Sequence, residues 1–162
     1  MIFPPRAAVW LLGAGLLAGC SGIKTYPDTS PKNLIVRTQT STGSVFSSMR
    51  VAVHIHQVDA QCRTEYVGTV QLNSPTVEIG IPPERVSYLV FNFAGSSFLG
   101  GSSSNISYDT LLRPRAGRTY DANARYTDGL YHVEIRESGA RGSAGRDLAR
   151  RGLDDCGRLL SQ

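Results

Sequence analysis

The sequence lacks several features that would point to common functions. No apolar run reaches the roughly 20 residues of a transmembrane helix, and the run at residues 7–19 has only 13. No G-x-S-x-G motif and no phosphate-binding loop with its lysine is present, so neither a hydrolase of that kind nor a nucleotide site is indicated. The net charge is only +4 in 162 residues, without a basic stripe, so we do not expect nucleic-acid binding.

The amino-terminal 20 residues follow the order of a secretory leader. A basic start with Arg6 precedes the apolar run, which ends in Leu17-Ala18-Gly19-Cys20. This segment resembles the signal peptide and lipobox of bacterial lipoproteins. The resemblance implies that residues 1–19 are removed and that Cys20 carries diacylglycerol and a further acyl chain such as palmitate, which together anchor a protein stably. The alternative is an ordinary secretory leader with a chance cysteine.

The residue after the lipobox cysteine bears on localisation. In enterobacterial lipoproteins an Asp at that place retains the protein in the inner membrane, whereas this chain has Ser21. The resemblance therefore implies a lipid-anchored protein of the cell envelope, on the periplasmic face of the outer membrane. No cofactor is expected besides the covalent lipid.

Removal of the leader leaves 143 residues with a formal charge of +3 and two cysteines, Cys62 and Cys156. Because an exported chain meets an oxidising compartment, we predict a disulfide between them. Two unpaired thiols are the alternative. Closing the loop of about 95 residues between Cys62 and Cys156 is worth roughly 4 to 5 kcal/mol of stability in the chain-entropy model. The bond would tie the carboxyl-terminal tail to the domain.

The mature chain divides into three parts. Residues 20–32, with two prolines and several Ser and Thr, are predicted to be the lipidated cysteine and a flexible tether that reaches at most about 40 Å. Residues 138–162 form a Gly- and Arg-rich tail, irregular or helical, with helical turns expected at 147–151 and 154–160. Residues 33–137 alternate short β-rich runs with turns, which predicts an all-β, antiparallel two-sheet sandwich of about seven to eight strands.

The predicted strands share β-branched or aromatic residues and end at turn residues; they span 34–40, 49–58, 66–72, 76–81, 86–93, 106–112, 119–126 and 130–137. The run at 86–93 is the most apolar, which predicts a central strand buried on both faces. Residues 94–105 are rich in Gly and Ser around Phe98 and Leu99. We interpret this segment as a mobile loop whose apolar tip is a candidate binding element.

The last two predicted strands carry a recognisable hairpin. In LLRPRAGRTYDANARYTDGLYHVEIRE, residues 111–137, Pro114 and Gly117 precede a strand that opens at Tyr120, and Asp128-Gly129 marks the turn. The segment is similar to the closing hairpin of small envelope β-sandwiches of the transthyretin-like and carboxypeptidase-regulatory-like kinds. That resemblance implies the sandwich architecture and no particular ligand.

Two residue groups are candidate sites. His54 and His56 project from one face of the second strand, and His132 takes an outward position on the last. Three such side chains can hold zinc or copper, although strand alternation alone also places polar residues there. Five strand tyrosines either pack in the sandwich or form an exposed strip that binds a glycan or a protein: Tyr88, Tyr108, Tyr120, Tyr126 and Tyr131.

Together these patterns predict a membrane-anchored, non-catalytic periplasmic lipoprotein that binds or assembles with an envelope protein through a sheet edge or a loop. Its architecture would resemble that of the lipoprotein of type VI secretion membrane complexes. One alternative is an inhibitor or immunity lipoprotein acting on a periplasmic hydrolase. The other is a metal-handling protein or enzyme that uses the three histidines.

Overall fold

The computed structural model describes residues 22–41, 47–97, 103–127, 129–138 and 145–161. Within these ranges the chain forms nine strands, a single turn of 3-10 helix (Leu153–Asp155) and a short helix, α1 (Cys156–Leu160). No helix in these ranges is long and apolar enough to cross a membrane. The strands are β1 (Leu34–Ser41), β2 (Ser47–Val58), β3 (Thr64–Gln71), β4 (Thr76–Ile79), β5 (Ser87–Ser97), β6 (Ser103–Leu112), β7 (Thr119–Thr127), β8 (Leu130–Ser138) and β9 (Arg146–Leu148).

The strands form two sheets, one in the order β4-β1-β7-β8-β9 and the other in the order β3-β2-β5-β6. The predicted all-β sandwich is therefore confirmed. One pair departs from the antiparallel pattern, because β1 runs parallel to β7 with Leu34 opposite Tyr120. Five strands separate β1 from β7 along the chain, and parallel neighbours need such a crossover instead of a hairpin.

The hydrophobic core lies between the inner faces of the two sheets. Val51, Val53 and Ile55 of β2 are buried, and the histidines between and beyond them are only partly buried, as the period-2 pattern predicts. In β5, Phe91 and Phe93 are fully buried, but alternate residues on the other face are half-buried. The prediction that this strand is buried on both faces is wrong, because α1 covers only one end of the outer face.

A second, smaller core lies on that outer face. Cys156 and Leu159 of α1 pack there against Val58, Val86 and Leu111. The predicted disulfide is confirmed: Cys62 and Cys156 are bonded, with Cα atoms 5.9 Å apart and a sequence separation of 94 residues. The bond therefore holds α1 on the four-stranded sheet.

The carboxyl-terminal tail differs in part from the prediction. The sequence predicts a helical turn at 147–151, but the structure has no helix there; its first two residues belong to β9, which pairs antiparallel with Ile135, Arg136 and Glu137 of β8. Pairing satisfies backbone groups that the edge of β8 would otherwise leave open. The turn expected at 154–160 is confirmed by the 3-10 turn and α1.

Much of the segment predicted as a flexible tether packs against the sandwich. Thr25 forms a parallel bridge with Thr69, and the Tyr26 side chain, 7% exposed, lies in the core. The Tyr26 hydroxyl donates to the carbonyl of Gly80 at 2.8 Å, and Asp28 accepts a hydrogen bond from the Gly80 amide at 2.7 Å. The prediction is wrong for this part, since one buried aromatic outweighs the polar composition around it.

The loop predicted at 94–105 is also shorter than expected. β5 continues to Ser97 and β6 begins at Ser103, with Gly95 opposite Ser104. Polar residues extend these strands because β2 supports the hairpin on its other side, with Met49 opposite Gly95. Phe98 and Leu99, the candidate binding residues, lie outside the described residues.

Candidate functional site

β6 and β8 lie on the same side of the sandwich. Among the described residues, other segments pack against only part of the outer edge of each strand. The tail reaches β6 at Asp109 and Leu111, where Arg150 Nε donates to the Asp109 carbonyl and the Leu111 amide donates to the Arg151 carbonyl. β9 pairs with β8 only from Ile135 onward. Residues 103–107 of β6 and 130–134 of β8 have no strand partner on their outer side among the described residues; we call them the open edge.

The open edge lacks most of the features that usually prevent edge strands from pairing with another chain. Residues 103–107 read Ser-Ser-Asn-Ile-Ser, without charge or proline. Leu130 is 78% exposed and Tyr131 40% exposed, and the Tyr131 ring lies 5.9 Å from that of Phe93 in the other sheet. Natural edges are commonly blocked by charge, proline or a bulge. This edge can therefore offer backbone hydrogen bonds and apolar contact together.

Charge on the open edge is confined to one outward-facing pair. His132 Nε2 lies 2.8 Å from Glu134 Oε1, and Arg125 contacts the other oxygen of Glu134 at 3.1 Å. The hydrogen bond from His132, with the charges of His132 and Arg125, lowers the pKa of Glu134 below its usual value. These groups satisfy one another at the surface and leave the backbone of β8 accessible.

The three candidate metal ligands do not come together. His54 and His56 lie on the four-stranded sheet and His132 on the five-stranded sheet, and the described residues contain no group of three His, Cys, Asp or Glu placed to hold a metal. His54 Nδ1 contacts the hydroxyl of the buried Thr69 at 2.6 Å. Burial and the neighbouring charge of His54 lower the pKa of His56.

The strand tyrosines are distributed over both sheets and do not form one strip. Tyr88 packs near α1 and its ring lies 5.8 Å from that of His56. Tyr108 packs edge-on against Phe91 at 6.2 Å, whereas Tyr120 is 2% exposed. Of the five, Tyr131 is the most exposed, at 40%.

A cavity of about 330 Å³ lies at the end of the sandwich opposite the open edge, where β6 finishes. Its walls come from the end of β6, the following loop, the end of β8, β9 with the residues after it, and α1. The lining residues are Glu84, Leu111, Leu112, Arg113, Arg115, Tyr120, Glu137, Arg146, Leu148, Ala149, Arg151 and Leu159.

Glu137 is the buried charge of this cavity, at 5% exposure. Its carboxylate lies 2.7 Å from Arg115, 2.9 Å from Arg146 and 3.9 Å from Arg118. Burial raises the pKa of Glu137, but the hydrogen bond from Arg115 and the charges of Arg115 and Arg146 outweigh it, so the net pKa is below its usual value. Glu137 is therefore ionised and not placed to donate a proton.

Tyr120 holds the loop above the cavity in place. Its hydroxyl accepts a hydrogen bond from the Arg115 amide at 2.9 Å, and Gly117 takes a positive φ of 72° in the same loop. This hydrogen bond between a strand tyrosine and the backbone a few residues upstream corresponds to the tyrosine corner of β-sandwiches. The Pro, Gly and Tyr pattern thus has a structural role.

Sequence reasoning missed the arginine and glutamate cluster. One signal was present: Val133, Ile135 and Glu137 alternate along β8 on the inward face, so Glu137 is a charge at a core position. Such a charge requires partners. The arginines that supply them are distant in sequence or lie in the tail, and no local pattern connects them with Glu137.

No protein-family model matches this chain, and no curated protein matches it. Two chains among the solved structures match. One is sea bream transthyretin in complex with thyroxine, which is 14% identical, covers 67% of this chain and 98% of its own, and has a TM-score of 0.45. This likeness is weak, and the architecture rests on the two sheets described above.

Proposed function

We propose that the protein is a lipid-anchored, non-catalytic module of the bacterial cell envelope that binds a protein partner through its open edge. The lipobox-like segment ending at Cys20 supports the anchor. The observation that carries the binding role is the uncharged, partly uncovered edge of β6 beside the exposed Leu130 and Tyr131.

The chemistry of the open edge favours an extended partner segment. A strand added to β6 would take up its outward backbone N–H and C=O groups, as in β-augmentation. Packed sheets lie about 10 Å apart, so the inward-facing apolar side chains of that strand would reach Tyr131, whose ring lies near Phe93. Leu130 shares the outward register of His132 and Glu134 and would contact parts of the partner beyond the added strand. The partner is therefore an envelope protein with an exposed extended segment that carries apolar residues.

The contacts of the histidines support binding instead of catalysis. A nucleophilic hydroxyl would need a histidine beside it. Within the described residues His54 contacts the hydroxyl of Thr69, but Thr69 is only 2% exposed. His132 is paired with Glu134. Neither arrangement presents an activated nucleophile to a substrate.

The packed amino-terminal segment also affects how the anchor would act. The carbonyl of Lys24 accepts a hydrogen bond from the Thr69 amide of β3 at 2.8 Å, and Lys24 is the fourth residue after Cys20. That span is at most about 14 Å. Lipid on Cys20 would thus hold the sandwich close to the periplasmic face of the outer membrane.

The test combines lipid analysis with partner capture. Intact-mass measurement of the mature protein should show a chain that begins at acylated Cys20 and, in Cys20→Ala, no lipid. Crosslinked capture from envelope membranes should recover one partner protein, and the double variant Asn105→Lys, Leu130→Lys should lose it because edge charges oppose strand addition. Both residues are exposed, so folding should be preserved.

Gln71→Lys is the matched control, because Gln71 is an exposed residue of β3 in the same sheet, at its opposite edge. It should retain the partner. Equal capture by the control and the double variant would contradict the role of the open edge. If the unanchored Cys20→Ala protein still inhibited a periplasmic hydrolase, the inhibitor alternative would be favoured. If the crosslinked protein were a second copy of this chain, the open edge would serve self-association instead of binding an envelope partner.

A further inference from the structure

We propose that the arginine-lined cavity at the end of β6 binds a phosphate monoester that carries a small apolar group. The cavity lies at the opposite end of the sandwich from the open edge and shares no residue with it. The proposal therefore does not depend on the protein partner.

The charges that line the cavity do not balance. Four arginines and two glutamates contribute to its wall, which leaves a surplus of two positive charges. Arg115 and Arg146 both contact Glu137, and Arg118 lies 3.9 Å from it, so one carboxylate is shared by three guanidinium groups. The wall thus has unused capacity for an anion, since guanidinium groups bind phosphate and carboxylate through paired hydrogen bonds.

The two remaining arginines provide that capacity. Arg113 lies 3.8 Å from Glu84, a long contact, and its other terminal nitrogen donates to the Leu159 carbonyl at 3.2 Å. Arg151 forms no ion pair with any residue in the described ranges, and its backbone is fixed to β6 through Thr110 and Leu111. The backbone of Arg151 is therefore held at the cavity that this residue lines, and no described carboxylate pairs with its charge.

Apart from Tyr120, the rest of the wall is apolar. Five residues supply it: Leu111, Leu112, Leu148, Ala149 and Leu159. The volume of about 330 Å³ is at the lower end of the range for small-molecule sites, which pair an apolar lining with a few polar groups. A wall of this kind favours a ligand with an apolar body over a bare inorganic ion.

The surplus of two charges favours a phosphate monoester over a carboxylate. A phosphate monoester carries close to two negative charges at neutral pH, as phosphorylated side chains do, whereas a carboxylate carries one. The same group occurs in soluble phosphate monoesters and in the headgroup of a lipid such as phosphatidic acid. The proposal is for this shared chemistry.

Isothermal titration of the lipidated protein in phosphatidylcholine nanodiscs tests the proposal with phenyl phosphate as the probe. We expect saturable binding of phenyl phosphate. Inorganic phosphate, which lacks the apolar group, and phenol, which lacks the anion, should each bind at least about tenfold more weakly. Equal affinity for inorganic phosphate, or no saturable binding at millimolar phenyl phosphate, would overturn the proposal.

Arg151→Gln is the diagnostic variant, because it removes the uncompensated charge and keeps the backbone hydrogen bonds of that residue. We expect at least about tenfold weaker binding of phenyl phosphate, the scale of a lost charge-assisted hydrogen bond. Arg50→Gln, which removes the same charge from an exposed position on β2, should bind like the wild type. Equal binding by the two variants, with unchanged melting temperatures, would place the anion elsewhere and overturn the assignment.

A second titration in nanodiscs that contain phosphatidic acid distinguishes the two sources of the ligand. Competition by the lipid, seen as a higher apparent Kd for phenyl phosphate, would identify a headgroup site. An unchanged Kd would identify a site for a soluble phosphate monoester. Chemical-shift changes confined to the amides of Leu148, Ala149 and Arg151 would locate the ligand in the cavity, and changes confined to other parts of the chain would refute it.

Discussion

The buried carboxylate of Glu137 offers a quantitative test of the electrostatic account. In Glu137→Gln the side chain keeps its size but loses its charge, which leaves Arg115 and Arg146 without their common partner. Removing one member of a fully buried pair costs about 3 to 5 kcal/mol. The side chains of Arg115 and Arg146 are 53% and 65% exposed, so water compensates them in part, and we expect a loss of about 1 to 2 kcal/mol. Urea unfolding at pH 7 measures this difference.

The pH dependence of the stability of this variant shows whether the charge of Glu137 stabilises the fold. Because the pKa of Glu137 in the folded protein lies below its ordinary value of 4.5, its stabilising contribution is complete above that value and is lost as the pH falls through the folded pKa. The gap in unfolding free energy between wild type and Glu137→Gln should therefore narrow from about pH 6 to about pH 3. Glu134→Gln, whose carboxylate is exposed on the same strand, is the control and should change stability little. A gap that widens on acidification, or no gap at pH 7, would refute the reasoning.

Two further variants, one single and one double, test the packing of the chain ends. In Gly68→Ala the new Cβ would lie 2.6 Å from backbone atoms of Tyr26, so limited proteolysis should cut the amino-terminal segment faster than in Gly22→Ala, whose Cβ meets nothing within 4 Å; equal rates would contradict the packed segment. Replacing Cys62 by Ser and Cys156 by Ala opens a loop with a sequence separation of 94 residues and should lower the free energy of unfolding by about 4 to 5 kcal/mol, measured in urea. A loss below about 1 kcal/mol would show that the disulfide adds little to the packing of α1.

The strands were predictable because local pattern determines them. Val51, Val53 and Ile55 alternate with polar residues, and that period survives in the structure because one face of β2 meets the core. The turn before Leu130 was predictable for a similar reason, since Gly129 adopts the positive φ of 84° that such a turn requires. Cys62 and Cys156 were a sound pair because no other cysteine follows Cys20.

The features that escaped prediction depend on distant parts of the chain. The parallel pairing of β1 with β7 and the addition of β9 to β8 follow from how the sheets assemble, which no local period encodes. Tyr26 stands alone in a polar segment, and its burial depends on Gly68 and Gly80 more than 40 residues later. The cavity likewise collects arginines from a loop and from the tail around Glu137.

Site-specific photocrosslinking in intact envelopes tests the central claim most directly. A photoreactive residue is placed at Asn105 or Leu130 of the full-length protein and, as a control, at Gln71 on the opposite edge of the four-stranded sheet. The account predicts one discrete adduct with an envelope protein from Asn105 and from Leu130, and none from Gln71. Adducts that form equally from Gln71, or no adduct from either open-edge position, would contradict it.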